Sequence, residues 1–219
     1  MATKKFSKGE AIRFGWNTMK ENFWFFAGLL IFVFSLYLIL GFVDGITKDQ
    51  HPGIALMVNL VSLFLQLLIG MGIIRITLKC CDNEKGKFSD LFSGFPLLLK
   101  YFVGSIVYGA IVFLGFLLLI VPGVIWAIKY QFFTYLMVDQ GLGPIAAIKK
   151  SGAVTKGSKW DLFTFGLLLG GINLLGVLCF LVGIFATIPT TMVAAAFVYR
   201  KLLAASDAAQ EGTVTPQPA

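Results

Sequence analysis

The sequence predicts an all-α polytopic membrane fold: six transmembrane helices arranged as three hairpins, with amphipathic interfacial helices on the cytoplasmic side. Composition is the first observation behind this. Apolar residues make up 58% of the chain, charged residues 13%, and the mean hydropathy is +0.85, which describes a protein whose main solvent is lipid. The second is the placement of charge. All basic residues except Lys48 and Lys129 fall in four clusters: Lys4/Lys5/Lys8/Arg13/Lys20, Arg75/Lys79/Lys85/Lys87/Lys100, Lys149/Lys150/Lys156/Lys159 and Arg200/Lys201. The third is that long apolar stretches separate those clusters. Positive charge resists translocation, so all four clusters and both termini are expected in the cytoplasm, and each apolar region must leave and return.

Residues 7–22 read as an interfacial helix. Ile12, Trp16, Met19 and Phe23 recur at i, i+4, i+7 and i+11, with Glu10, Arg13, Asn17, Lys20 and Glu21 opposite. Residues 1–22 carry both acids and bases with no central apolar block, so no cleaved secretory signal is expected there, and the first span is expected to direct insertion. That span is 23–43, an unbroken apolar run able to cross about 30 Å of hydrocarbon, with Trp24 as its interfacial anchor. The polar loop 44–52 holds the one histidine, His51, read as a loop residue. The second span, 54–78, contains Asn59 and Gln66. A short interfacial segment, 88–95, follows, with Ser89 as cap and Leu91, Phe92 and Phe95 expected on one side.

The third span is 97–120. Val121-Pro122-Gly123 then turns the chain into a fourth, 124–138, because proline ends one helix but suits the first turn of the next. That fourth segment is short, reaching only about 22 Å, and is interrupted by Lys129 and Gln131. Sidedness survives whether 97–138 crosses twice or not at all. The interfacial segment 144–156 carries Lys149 and Lys150, and Trp160 anchors the next span. Spans 162–181 and 184–203 turn at Gly183, with a kink at Pro189, and a disordered tail is expected over 206–219.

An internal correspondence links the two ends. Ala11-Ile12-Arg13, Lys20 and Trp24 match Ala147-Ile148-Lys149, Lys156 and Trp160 at a constant offset, with Gly152 standing where Trp16 stood. Gly166 and Gly170 make a GxxxG spacing that Gly171 and Gly176 extend, a surface suited to close helix packing within the chain or between copies.

The run Val121-Pro-Gly-Val-Ile-Trp-Ala-Ile-Lys-Tyr130, then Tyr135-Leu-Met-Val-Asp139, Ala147-Ile-Lys-Lys-Ser151 and Thr155-Lys-Gly-Ser-Lys-Trp160 resembles a family of uncharacterised prokaryotic six-span integral membrane proteins. Ile172-Asn-Leu-Leu-Gly176, Ile188-Pro-Thr190 and Tyr199-Arg-Lys-Leu202 resemble the same family, so the likeness covers most of the chain. Some members are labelled as like the membrane domain of glycerophosphoryl diester phosphodiesterases. Cleavage in those enzymes belongs to a separate soluble barrel, so the resemblance implies topology and no activity.

One loop histidine and 11 mostly peripheral carboxylates form no catalytic or metal-ligand spacing, and Cys80, Cys81 and Cys179 form neither a disulfide framework nor a zinc motif. No enzyme activity and no cofactor are expected. Basic residues beside apolar spans, without a groove of interleaved aromatics, exclude nucleic acid and point to anionic headgroups as partners. The intramembrane polar candidates are Lys129, Gln66, Asn59, Gln131 and Asn173, Lys129 first because burying an ionisable group costs a few kcal/mol. The leading expectation is a homo-oligomeric structural, scaffolding or membrane-shaping protein. Its rivals are a transporter or channel for a small solute or lipid, using Pro122, Lys129, Gln66 and Pro189, and an accessory subunit recruiting a partner through its basic face.

Overall fold

A computed structural model describes residues 6–48, 51–179 and 183–211. Among the described residues every regular element is helical: α1 (Lys8–Glu21), α2 (Phe23–Thr47), α3 (Pro52–Cys81), two 3₁₀ turns (Phe88–Leu91 and Phe95–Leu97), α4 (Leu98–Leu118), α5 (Ile120–Tyr130), α6 (Phe133–Gln140), α7 (Pro144–Val154), α8 (Lys159–Leu178) and α9 (Ile184–Glu211). Local chemistry sets the boundaries. Asn22 ends α1 by donating its side-chain amide to the Thr18 carbonyl at 3.0 Å. Pro52 and Pro144 open α3 and α7, where their missing N–H costs nothing. Gly141 ends α6 with a left-handed φ of 65°.

The buried core lies where the basic clusters meet. Phe132, then Phe133, Leu136 and Met137 of α6, Ala147, Ile148 and Val154 of α7, and Leu162 and Phe165 of α8 surround Ala194, Val198, Tyr199 and Leu202 of α9. A second cluster joins Phe26 and Leu29 of α2 to Ile69 and Ile76 of α3, with Leu91 and Val193. Ion pairs then tie the clusters to one another: Lys8 with Asp161 at 3.3 Å, Lys201 with Glu10 at 3.3 Å, and Arg200 with Asp82 at 2.5 Å. Exposed pairs of this kind are worth at most about 1 kcal/mol each, so they report placement while the apolar core supplies stability.

Two glycines let backbones touch. A Cβ on Gly15 of α1 would collide with the Thr190 carbonyl oxygen of α9, and one on Gly72 of α3 would collide with the Leu91 backbone. The buried side of α1 is therefore Ala11, Gly15, Thr18 and Met19; the expected stripe is split, with Met19 buried and Ile12 packed against the core while Trp16 and Phe23 are turned outward, at 44% and 37% exposed. In the 88–95 segment Asp90, not Ser89, caps the turn, accepting from the Lys87 N–H at 2.9 Å and the Lys79 ammonium at 2.7 Å. Leu91 is buried, while Phe92 and Phe95 point away from it into the open.

Four helical stretches are long and apolar enough to cross a membrane: Phe23–Thr47, Pro52–Cys81, Phe88–Leu118 and Lys159–Leu178. Between 11% and 22% of each apolar stretch is buried inside the chain, so most of that surface is uncovered. The expected fourth span, 124–138, is divided between α5 and α6. At 11 residues α5 reaches about 16 Å. The turn comes at Leu119, whose backbone is extended, and Pro122 sits in the first turn of α5. Gly115 and Gly123 bring α4 and α5 into backbone contact. The tip of this hairpin, Leu117 to Val121, exposes five successive apolar residues at 67–72%. The expected sixth span starts at Ile184 as predicted, but Val193, Ala194, Ala196, Val198, Tyr199 and Leu202 lie inside the core, and the helix continues to Glu211. Residues 206–211 of the expected tail are thus helical; 212–219 lie outside the described residues.

Gly15→Ala and Gly72→Ala should each lower unfolding stability in detergent by about 1–3 kcal/mol, since a methyl there overpacks a backbone contact. Gly166→Ala, where a Cβ meets nothing within 4 Å, should be neutral or stabilising. Chemical unfolding followed by circular dichroism measures all three.

Candidate functional site

The five polar residues singled out from the sequence do not converge. Asn59 donates to Asp44 Oδ1 and to the Ala55 carbonyl, both at 2.9 Å, joining the far ends of α2 and α3. Asn173 accepts from Thr191 at 3.3 Å between α8 and α9. Gln66 is exposed halfway along α3. Gln131 sits in the break between α5 and α6, its side-chain nitrogen buried and without a partner among the described residues. Lys129 lies in the last turn of α5, and it alone of the five enters a larger assembly.

That assembly is built by α7. A helix C-terminus leaves carbonyls without partners, and so does a break between two short helices. Ser151 and Thr155, one turn apart on α7, supply the missing groups. Their hydroxyls donate to the Lys129 carbonyl at 3.2 and 2.9 Å, and Ser151 Oγ accepts the Phe132 N–H at 3.2 Å. Both residues are fully buried. Gly152 between them leaves room for the lysine: a Cβ there would lie 3.1 Å from Lys129 Cε and 3.3 Å from Tyr130 Cε1. The Lys129 ammonium rests 4.8 Å from the centre of the Tyr130 ring.

The result is a cavity of about 460 Å³ between α5, α7 and the start of α8, lined by Lys129, Lys149, Lys156 and Lys159 together with Tyr130, Ile148 and Gly152. No carboxylate is among its walls. Such a surface attracts anions and repels cations. Lys150, the neighbour of Lys149, points elsewhere, to Gln140 at 3.0 Å and Asp207 at 4.0 Å. Sequence reasoning places Lys129 in a span and the other lysines in a cytoplasmic cluster. Their convergence depends on the α5–α6 break that brings α7 alongside α5, and the spacing Ser151-x-x-x-Thr155 is its only local sign.

A second polar knot closes the core. Arg200 of α9 bonds Asp139 of α6 at 2.9 Å and Asp82 after α3 at 2.5 Å, and the Tyr199 hydroxyl donates to Asp139 at 2.8 Å. The partners of Asp139 thus come from the far end of the chain. The remaining predicted surface residues are placed as follows. Trp24 and Trp160 are 85% and 80% exposed. Gly166, Gly170 and Gly171 face open space, whereas Gly176 packs tightly on Thr187. The two halves of the sequence correspondence have different partners, α1 lying on α9 and α7 on α6. No group of three or more metal-ligating side chains occurs among the described residues.

A family model described as "Protein of unknown function (DUF975)" matches residues 102–206, the stretch from α4 into α9 that holds the cavity. Similar proteins include the uncharacterized protein Rv2560 of Mycobacterium tuberculosis strain H37Rv and the uncharacterized protein Mb2590 of Mycobacterium bovis. Each is 26% identical over 230 residues, covering 90% of this chain and 69% of the relative. No solved structure matches. These likenesses set the chain beside uncharacterised prokaryotic proteins.

Ser151→Ala should remove two hydrogen bonds at the α5–α6 break and cost about 1–3 kcal/mol of stability, because a buried N–H is left unpaired. Ser151→Thr should retain most of it. Thermal unfolding in detergent measures both.

Proposed function

We propose that the chain is an integral protein of a prokaryotic cytoplasmic membrane that acts without catalysis, as a homo-oligomeric component organising or shaping the bilayer. The observation that carries this reading is the division of the molecule into a packed body, where all four basic clusters meet, and apolar helices whose surfaces are mostly uncovered. A monomeric water-soluble protein does not leave apolar surface of that extent in contact with solvent. The body takes the cytoplasmic side by the distribution of lysine and arginine. Three hairpins rise from it toward the hydrocarbon: α2/α3, α4/α5, and α8 with the first turns of α9, whose second half stays in the body. The middle one is re-entrant: α5 is too short to cross, and a tip of five exposed apolar residues fits lipid and not the outer aqueous phase. A hairpin that dips and returns displaces acyl chains in one leaflet more than in the other, which is a physical route to membrane shaping.

Self-association draws on α8. Gly166, Gly170 and Gly171 meet nothing within the chain, although their spacing permits close helix approach. A second copy presenting the same face would supply the van der Waals contacts that are missing. Transport is less well supported, since none of Asn59, Gln66, Lys129, Gln131 and Asn173 shares a hydrogen bond with another.

Reconstitution into vesicles at several protein-to-lipid ratios tests the proposal. Subunit counting by single-molecule photobleaching is expected to find dimers or larger species, and electron microscopy to find altered vesicle diameter. Gly166→Leu/Gly170→Leu should weaken association by about tenfold, the loss of roughly 1.4 kcal/mol of packing. Strictly monomeric protein in vesicles of unchanged shape would overturn the reading.

A further inference from the structure

The geometry points to the cavity lined by Lys129, Lys149, Lys156 and Lys159 as a binding site for a lipid headgroup carrying two or more negative charges. The inference rests on the membrane placement proposed above and adds a ligand to it.

Charge is the first argument. Four lysines elsewhere in the body meet carboxylates: Lys8 with Asp161, Lys79 with Asp90, Lys150 with Asp207, Lys201 with Glu10. Around this cavity Lys129, Lys149 and Lys159 border one space, Lys156 adds to its rim, and no carboxylate lines it. Like charges held together repel, and a bound anion relieves that repulsion while gaining charge-assisted hydrogen bonds. One phosphodiester brings a single negative charge. Two phosphates, or one phosphomonoester, match a lysine cluster of this size better.

Preorganisation is the second. Long lysine side chains usually lose entropy on ordering. Here the Lys129 backbone is fixed by Ser151 and Thr155, and its stem lies between Gly152 and Tyr130 before anything binds. The surroundings of the cavity favour a lipid over a free anion. The helices that meet at the cavity carry exposed apolar side chains away from it, Ile120, Val121 and Ile125 on α5 and Trp160 and Leu167 on α8. A headgroup among the lysines would leave its acyl chains lying along those helices, and a soluble phosphate would make no use of them. Basic pockets at the cytoplasmic ends of membrane helices suit multiply charged headgroups for this reason.

The test uses the full chain reconstituted in phosphatidylcholine vesicles containing either cardiolipin or phosphatidylglycerol at equal total negative charge, with retained lipid counted by native mass spectrometry. Cardiolipin should be retained about tenfold over phosphatidylglycerol. Lys129→Gln/Lys149→Gln should abolish the preference. Lys85→Gln/Lys100→Gln, which removes the same charge elsewhere, should keep it. Gly152→Leu removes no charge but crowds the Lys129 stem and the cavity, and should also abolish it, so the outcome does not depend on one kind of variant. Equal retention of the two lipids, or equal losses in the pocket and control variants, would overturn the inference. So would displacement of cardiolipin by millimolar pyrophosphate, which would make the site one for a soluble anion. Lost selectivity in a protein that still oligomerises and inserts counts against this site alone; failure to insert counts against the membrane reading.

Discussion

The burial of the second half of α9 organises the molecule. Val193, Ala194, Ala196, Val198, Tyr199 and Leu202 are fully enclosed, and what encloses them comes from regions far apart in sequence: α1 through Gly15, α3 through its last turns, α6 and α7 through their apolar faces, and the start of α8. A helix can be covered on all sides only if distant segments are drawn to one place. Those segments carry the four basic clusters, so charge and core end up in a single body. The ion pairs across it are mostly exposed and contribute little energy, whereas each large side chain removed from water contributes about 1.5–3 kcal/mol.

The proposed function follows from what that body leaves undone. It holds the bases of apolar helices without covering their sides, and the proposed membrane placement gives the uncovered faces of α2, α3, α4 and α8 to lipid or another copy of the chain. It also leaves one joint imperfect. The break after α5 must be repaired by hydroxyls from α7, and the repair draws Lys129 toward Lys149, Lys156 and Lys159. A structural defect in the helix ladder and the assembly of a cationic cavity therefore have one cause.

Much of this is legible in the residues. The helical class, the starts of the interfacial segments and the long apolar stretches follow from periodicity, proline placement and hydropathy, which are local signals. The fourth segment is visibly too short, and Lys129 and Gln131 mark the place where it divides. What cannot be read depends on contacts distant in sequence. Trp16 reads as the anchor of α1, yet Gly15 decides its packing because the Thr190 backbone approaches so closely. Ser89 has the chemistry of a cap, but Asp90 also reaches Lys79 and so wins. The final turns of α9 read as a polar tail because Ser206 and Asp207 follow its apolar run, while the anchoring of Arg200 and Lys150 near its end has no local sign. Convergence of lysines some 20 to 30 positions apart shows locally only in the Ser151-x-x-x-Thr155 spacing that repairs the break after α5.

Sidedness is the claim on which the membrane account turns, and cysteine accessibility measures it most directly. In a variant lacking Cys80, Cys81 and Cys179, single cysteines at positions 149, 201 and 48 would be exposed to a membrane-impermeant maleimide in intact spheroplasts and again after lysis. The account predicts that Lys149→Cys and Lys201→Cys react only after lysis, while Lys48→Cys, beyond α2, reacts in intact spheroplasts. Labelling of Lys149→Cys from outside, or the same response at all three positions, would contradict it.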